Sequence, residues 1–273
     1  VPEGPEIRLA ADRIGRILAG ETIEDVALTL APLRRFEKSL RGKQVTAVDT
    51  RGKAMLTRFS NGLTLYSHNQ LYGRWFTLRR PKLPKTGRQL RVGLYTATHS
   101  ALLYSASEIA VLTDRQLAAH PFLSRLGPDI LDPVLTVEQV SKRLNSAPFR
   151  NRGLGGLYLD QSFLAGNGNY LRTEILWAAK VNPAHKPSML DPEALNRVAR
   201  ETLKISRRSY RTRGITVPQS LVSDLKAQGL AYQDYRFHAF GRDGLPCYRC
   251  DTPIERKTLG SRNIFVCRHC QAS

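Results

Sequence analysis

CYRCDTPIERKTLGSRNIFVCRHC, residues 247–270, holds every cysteine of the chain: Cys247 and Cys250, then sixteen residues, then Cys267 and Cys270. Two C-x2-C pairs at this separation have the spacing of a four-thiolate metal site. Each pair sets two sulfurs on one tight turn, and a hairpin between the pairs closes the tetrahedron that a single structural Zn2+ requires. Two disulfides are the competing reading. They are disfavoured where the cytosol is reducing, and no export signal is recognised in the sequence. His269 lies between two sulfurs that already face the ion and is not expected to be a ligand. Such a finger would barely hold a core without its metal. Arg256, Lys257 and Arg262 lie between the pairs, where basic side chains suit phosphates.

Working outward, 42 Lys+Arg against 23 Asp+Glu give a formal net charge of +19 over 273 residues. A surplus this large attracts polyanions, and nucleic acid is the expected partner through phosphate neutralisation. At about 150 residues per domain the length suggests two domains. A content of 41% hydrophobic and 24% charged residues excludes a disordered chain. No apolar run approaches the roughly 18 residues of a membrane span, so no membrane partner is expected. The first twenty residues mix acids and bases with apolar positions and are not a signal peptide. A soluble cytoplasmic, nucleoid-associated protein is the expectation. Phosphate-loop lysine and G-x-S-x-G motifs are absent from the sequence.

Toward the amino terminus, Ile7, Ala10, Ala11, Ile14, Ile17 and Leu18 recur at helical spacing, predicting a helix over 5–19 stopped by Gly20. From about 22 to 113, short alternating segments such as QVTAVDTRG, LTLYSHN and LRVGLYTA predict strands of a β-sandwich packed with that helix. Gly127-Pro128 and Asp132-Pro133 punctuate a linker, and Thr136 with Gln139 forms a capping box that opens a helix. The turn GNGN at 166–169 leads into a helix over 169–180, and Arg197 to Arg213 form a basic stretch that suits a phosphate track.

The chain opens Val1-Pro2-Glu3-Gly4-Pro5-Glu6. PEGPE, the RGK at 51–53, GNGNYLRTE and the finger containing SRNIFVCRHCQ resemble, in this joint order, the bacterial formamidopyrimidine-DNA glycosylase and endonuclease VIII family, and most closely the endonuclease VIII branch. The motifs run from residue 2 to residue 271. The fold class implied is α+β and multi-domain: a catalytic N-terminal helix and β-sandwich over 1–127, a linker over 128–135, a helix–two-turn–helix domain over 136–236 and a zinc-finger β-hairpin over 237–273.

The resemblance implies a bifunctional DNA glycosylase and AP lyase of base excision repair. It would remove oxidised pyrimidines from double-stranded DNA, act on abasic sites and cut the strand by β,δ-elimination, as a monomer. Pro2 would be the nucleophile, its secondary amine forming an iminium (Schiff base) with the sugar. Glu3 would be the general acid, provided it is buried enough to hold a proton. Glu6 orients the amine, binds water or complements the helix dipole. Lys53 would hold a phosphate beside the nucleophile, and Arg262 would assist δ-elimination. Flipping the damaged nucleotide out leaves a gap. The consecutive Gln70, Leu71 and Tyr72 resemble the wedge that fills it. Arg125 and Asn169 resemble phosphate contacts, and Glu174 a position near the active site.

A retained Val1 would make the Pro2 nitrogen an amide. Val1 is expected to be a non-standard start codon translated literally, read in the cell as methionine and removed. Two alternatives stay open: the same chemistry on oxidised purines (8-oxoguanine, formamidopyrimidine), or a non-catalytic zinc-ribbon DNA-binding protein if Val1 is kept. Asn167 departs from a usually apolar family position. The segment 214–236 is longer than the endonuclease VIII branch leads one to expect.

Overall fold

The computed structural model describes residues 2–272; Val1, on which the processing question turns, lies outside the described residues, as does Ser273. The chain forms two compact units that part between Arg125 and Leu126.

In the first unit α1 (Gly4–Leu18) carries Pro5 in its first turn, where a missing N–H costs nothing. Its buried face is Ile7, Ala11, Ile14 and Leu18, the spacing that predicted it, and Gly20 follows with a positive φ of 84°. Then come β1 (Asp25–Leu28), α2 (Glu37–Leu40), β2 (Val45–Arg51), β3 (Ala54–Phe59), β4 (Leu63–His68), β5 (Arg74–Arg79), β6 (Leu90–Tyr95), β7 (His99–Tyr104), β8 (Glu108–Thr113) and α3 (Asp114–Ala118). The strands pair antiparallel into two sheets of order β1-β6-β7-β5 and β2-β3-β4-β8. Val92, Leu94 and Leu103 from one sheet and Val45, Met55 and Leu65 from the other share a core with the apolar face of α1. The register sets His68 opposite Ala54 on one side and Glu108 on the other. That pairing brings Lys53, His68 and Glu108 to one end of the second sheet.

The second unit holds α4 (Val137–Leu144), α5 (Leu154–Leu157), α6 (Asn169–Ala179), α7 (Pro192–Arg211), α8 (Gln219–Ala227), α9 (Tyr232–Tyr235), β9 (Ile254–Leu259) and β10 (Arg262–Cys267). The Thr136–Gln139 capping box is formed, with Thr136 Oγ1 accepting from the Gln139 N–H at 3.2 Å. Leu171 and Ile175 of α6 share one core with Ile264, Phe265 and Val266 of β10, so the hairpin is packed onto the helices. Residues 128–135, read as a linker, contribute Ile130 and Leu135 to this core. The segment 214–236 folds into α8 and α9 around a small core of Val217, Val222, Leu225 and Tyr235.

Three arginines of the basic stretch on and beside α7 serve the fold. Arg197 donates to the Ala179 carbonyl, Arg207 to that of Leu135 and Arg208 to that of Thr216, each at 2.8 Å. Arg200, Arg211 and Arg213 are exposed and remain as the phosphate-facing candidates. Among the described residues no helix is long and apolar enough to cross a membrane.

Candidate functional site

Glu3 is the residue from which α1 springs, and it is 3% exposed. Its N–H donates to Glu6 Oε2 at 3.0 Å, so Glu6 caps the helix entry and fixes the backbone beside Pro2. Pro2 and Glu6 line a cleft of about 430 Å³, whose other wall includes Leu71, Tyr72, Trp75 and Arg88. Pro2 and two of the three residues expected to fill the gap, Leu71 and Tyr72, therefore face one space.

Gln70, Leu71 and Tyr72, expected to form the wedge, lie in the loop between β4 and β5. A tight turn closes it: the Gly73 N–H donates to the Asn69 carbonyl at 2.7 Å. A Cβ at Gly73 would sit 2.6 Å from that carbonyl oxygen, so only glycine fits. Gln70 takes a φ of 49°, unusual for a residue with a side chain. Leu71 is 62% and Tyr72 68% exposed, although both carry large apolar surfaces. The bland reading of these residues, buried strand positions, is thereby excluded.

Lys53 sits half-buried in the turn between β2 and β3, after Gly52 with its φ of 59°. Its charge is felt at His68. Burial lowers the pKa of that imidazole, Glu108 draws it up, and Lys53 pushes it down again, leaving it below its usual value. His68 Nδ1 lies 3.8 Å from Glu108 Oε2. Arg125 is exposed, its Nε donating to the Pro121 carbonyl at 2.7 Å.

In the second unit Arg262 opens β10 and is exposed directly after the hairpin turn. Asn169, at the start of α6, donates its amide N–H to the Asn263 carbonyl at 3.0 Å. One of the two amide hydrogens expected to meet phosphate is thus spent on the strand that carries Arg262.

Glu174 is wholly buried. Its Oε2 accepts from Thr216 Oγ1 (2.5 Å), the His238 N–H (2.7 Å) and His238 Nδ1 (2.9 Å), and its Oε1 from the N–H groups of Ala239 (2.8 Å) and Phe240 (2.9 Å). Burial alone would raise its pKa, but the His238 side chain, with Thr216 and the backbone, outweighs burial and holds it below the ordinary value. This geometry describes an anchor that ties α6 to the segment leading into the finger.

The four cysteines are unbridged, with sulfurs all within 4.8 Å of one another. The separations Cys250–Cys267, Cys250–Cys270 and Cys247–Cys270 are 3.4, 3.5 and 4.0 Å. Four sulfurs about 2.3 Å from one tetrahedral ion lie about 3.8 Å apart. Disulfides are thereby set aside, and the donor set fits a metal ion.

Sequence reasoning passed over Ser107, Glu108 and Arg88, which hydrogen-bond to Gln70 and Tyr72 in this loop. No local pattern marks them, because their partners are 16 to 38 positions away. His68 lies in the YSHN noted ahead of the wedge, but its neighbours follow from strand register alone.

Residues 1–108 match the family model described as the formamidopyrimidine-DNA glycosylase N-terminal domain, and residues 126–220 match that of the H2TH domain. Endonuclease 8 of Salmonella arizonae is 51% identical over 271 residues, covering 99% of this chain and 100% of that protein. Endonuclease 8 of Salmonella typhimurium shows the same identity and coverage. Among solved structures, Lactococcus lactis Fpg (MutM) bound to an N7-benzyl-Fapy-dG containing DNA superposes with a TM-score of 0.81 at 18% identity, covering 100% of both chains. A complex of Lactococcus lactis Fpg with abasic-site DNA gives 0.81 at 18% identity over 99% of this chain and 100% of that one.

Proposed function

The chain belongs to the formamidopyrimidine-DNA glycosylase family, and from that premise we propose how its own residues perform the chemistry. It is a bifunctional DNA glycosylase and AP lyase of base excision repair. The observation that carries the reading is the cleft in which Pro2 faces the exposed apolar residues Leu71 and Tyr72. A nucleophile and a gap-filling wedge share one opening.

Pro2, freed of Val1, attacks C1′ of the flipped nucleotide. The N–C1′ bond forms as the base leaves, taking a proton, and Glu3 protonates the sugar ring oxygen or the base as ring-opening proceeds. A secondary amine yields an iminium, which has no N–H proton to lose. Its positive charge acidifies the C2′–H bond; that proton is lost to water, and the electron pair it leaves expels the 3′ phosphate as the 3′ C–O bond breaks by β-elimination. A second elimination breaks the 5′ C–O bond, with Arg262 holding the departing phosphate. Lys53 binds phosphate on the first unit, and Arg125 and the start of α6 at Asn169 bind the strand. The four thiolates hold Zn2+, which shapes the finger and takes no part in the reaction. The consecutive Gln70-Leu71-Tyr72 and the likeness to proteins named endonuclease 8 support oxidised pyrimidines as the preferred lesions. The protein acts as a monomer on duplex DNA.

Borohydride reduction tests this. A chain starting at Pro2 should yield a covalent adduct with thymine-glycol duplex, of mass equal to protein plus reduced sugar and strand, and a chain retaining Val1 should yield none. Full-rate cleavage by the Val1-retaining chain would overturn the mechanism. Faster single-turnover cleavage of 8-oxoguanine than of thymine glycol would overturn the lesion preference alone.

A further inference from the structure

The geometry points to Ser107 and Glu108 as positioning residues for the wedge: they clamp the Gln70 side chain so that Leu71 and Tyr72 are held out ready to enter the duplex. The inference rests on the reading of residues 70–72 as that wedge.

Both ends of the Gln70 amide are engaged. Ser107 Oγ donates to Gln70 Oε1 at 2.6 Å, and Gln70 Nε2 donates to Glu108 Oε2 at 3.2 Å. A primary amide whose oxygen and nitrogen are both held has one orientation. Glu108 is itself fixed, since its other oxygen accepts from the hydroxyl of buried Tyr66 at 2.6 Å. The Gln70 N–H donates to His68 Nδ1 at 3.1 Å, which supports the left-handed backbone there. On the far shoulder of the loop, Arg88 donates to the Tyr72 carbonyl at 2.5 Å. The loop is therefore tied on either side of Leu71, and the apex between the ties stands in solvent.

An apolar side chain in water is ordinarily free to fold back onto its neighbours. Here the ties prevent this, so the cost of ordering the loop is met before DNA arrives. Affinity gained in this way needs no contact between Ser107 or Glu108 and the DNA. The effect should be confined to substrates with a gap to fill.

The test is a double-mutant cycle of Ser107→Ala with Gln70→Ala, using duplex DNA carrying a tetrahydrofuran abasic analogue and the same strand alone. Binding is followed by anisotropy, and cleavage of natural abasic DNA is measured in parallel. Ser107→Ala should weaken duplex binding about threefold, as expected for one exposed hydrogen bond, and leave single-strand binding unchanged. Ser107→Thr should restore it, and in the Gln70→Ala background Ser107→Ala should add nothing further. Equal losses on duplex and single strand, or additive losses in the double variant, would overturn the inference. Binding is read without turnover. Failure of the Pro2 chemistry would therefore show as absent cleavage with the binding cycle intact, and failure of the wedge reading as equal duplex binding by Leu71→Ala and the parent.

Discussion

Replacing Glu174 with Gln puts an NH2 where one acceptor oxygen stood. Turned toward the less crowded side, that NH2 faces the backbone N–H groups of Ala239 and Phe240, and both donors lose their acceptor inside the core. Each unpaired buried donor costs about 1–3 kcal/mol, so the substitution should cost at least about 2–6 kcal/mol. A folded unit has only about 5–15 kcal/mol in hand. At about 2–4 °C per kcal/mol, the melting temperature should fall by at least about 4 °C. The pH dependence is specific. Glu174 titrates below its ordinary value in the fold, so its contribution is complete above the unfolded pKa of about 4.3 and is lost as pH falls through the folded one. Calorimetry across pH should therefore show the widest gap between parent and Glu174→Gln near neutrality, narrowing as the pH falls below about 4. A variant melting within about 1 °C of the parent at neutral pH, or a gap that widens on acidification, would refute the reasoning.

Three further outcomes are expected. Atomic spectrometry should find one zinc per chain. Cys250→Ala should lose the metal and much of the fold of the second unit, because binding energies of about 10–16 kcal/mol at such sites are folding energy; an unchanged melting transition after metal stripping would contradict this. Leu71→Ala should leave thermal stability within about 0.5 kcal/mol of the parent, since the side chain is already in water. Its affinity for abasic duplex, measured by titration, should fall about tenfold or more, the transfer energy of one buried leucine.

What could be read from the sequence was local. The cysteine spacing, the apolar face of α1, the Thr136–Gln139 capping box and the loop carrying Gln70, Leu71 and Tyr72 each lie within one stretch of no more than 24 residues. The fold class and family likewise followed from the order of such motifs. The order of strands within the two sheets did not, because β1 pairs with β6 and β4 with β8 across long stretches of chain. The environment of Glu174 was equally hidden, its partners lying 42 to 66 residues away. Helices α8 and α9 went unread because only Val222 and Leu225 of α8 and Tyr235 of α9 are buried, too few to make a period.

The sharing of apolar residues between α6 and β10 bears on how the molecule is made. A nascent chain can finish the first unit, with its own separate interior, while the remainder is still being synthesised. The second unit has no such freedom. Until Ile264, Phe265 and Val266 have left the ribosome, Leu171 and Ile175 lack their packing partners and stay open to aggregation or proteolysis. Interrupted translation shortly before β10 should thus release a product with one finished half and one vulnerable half.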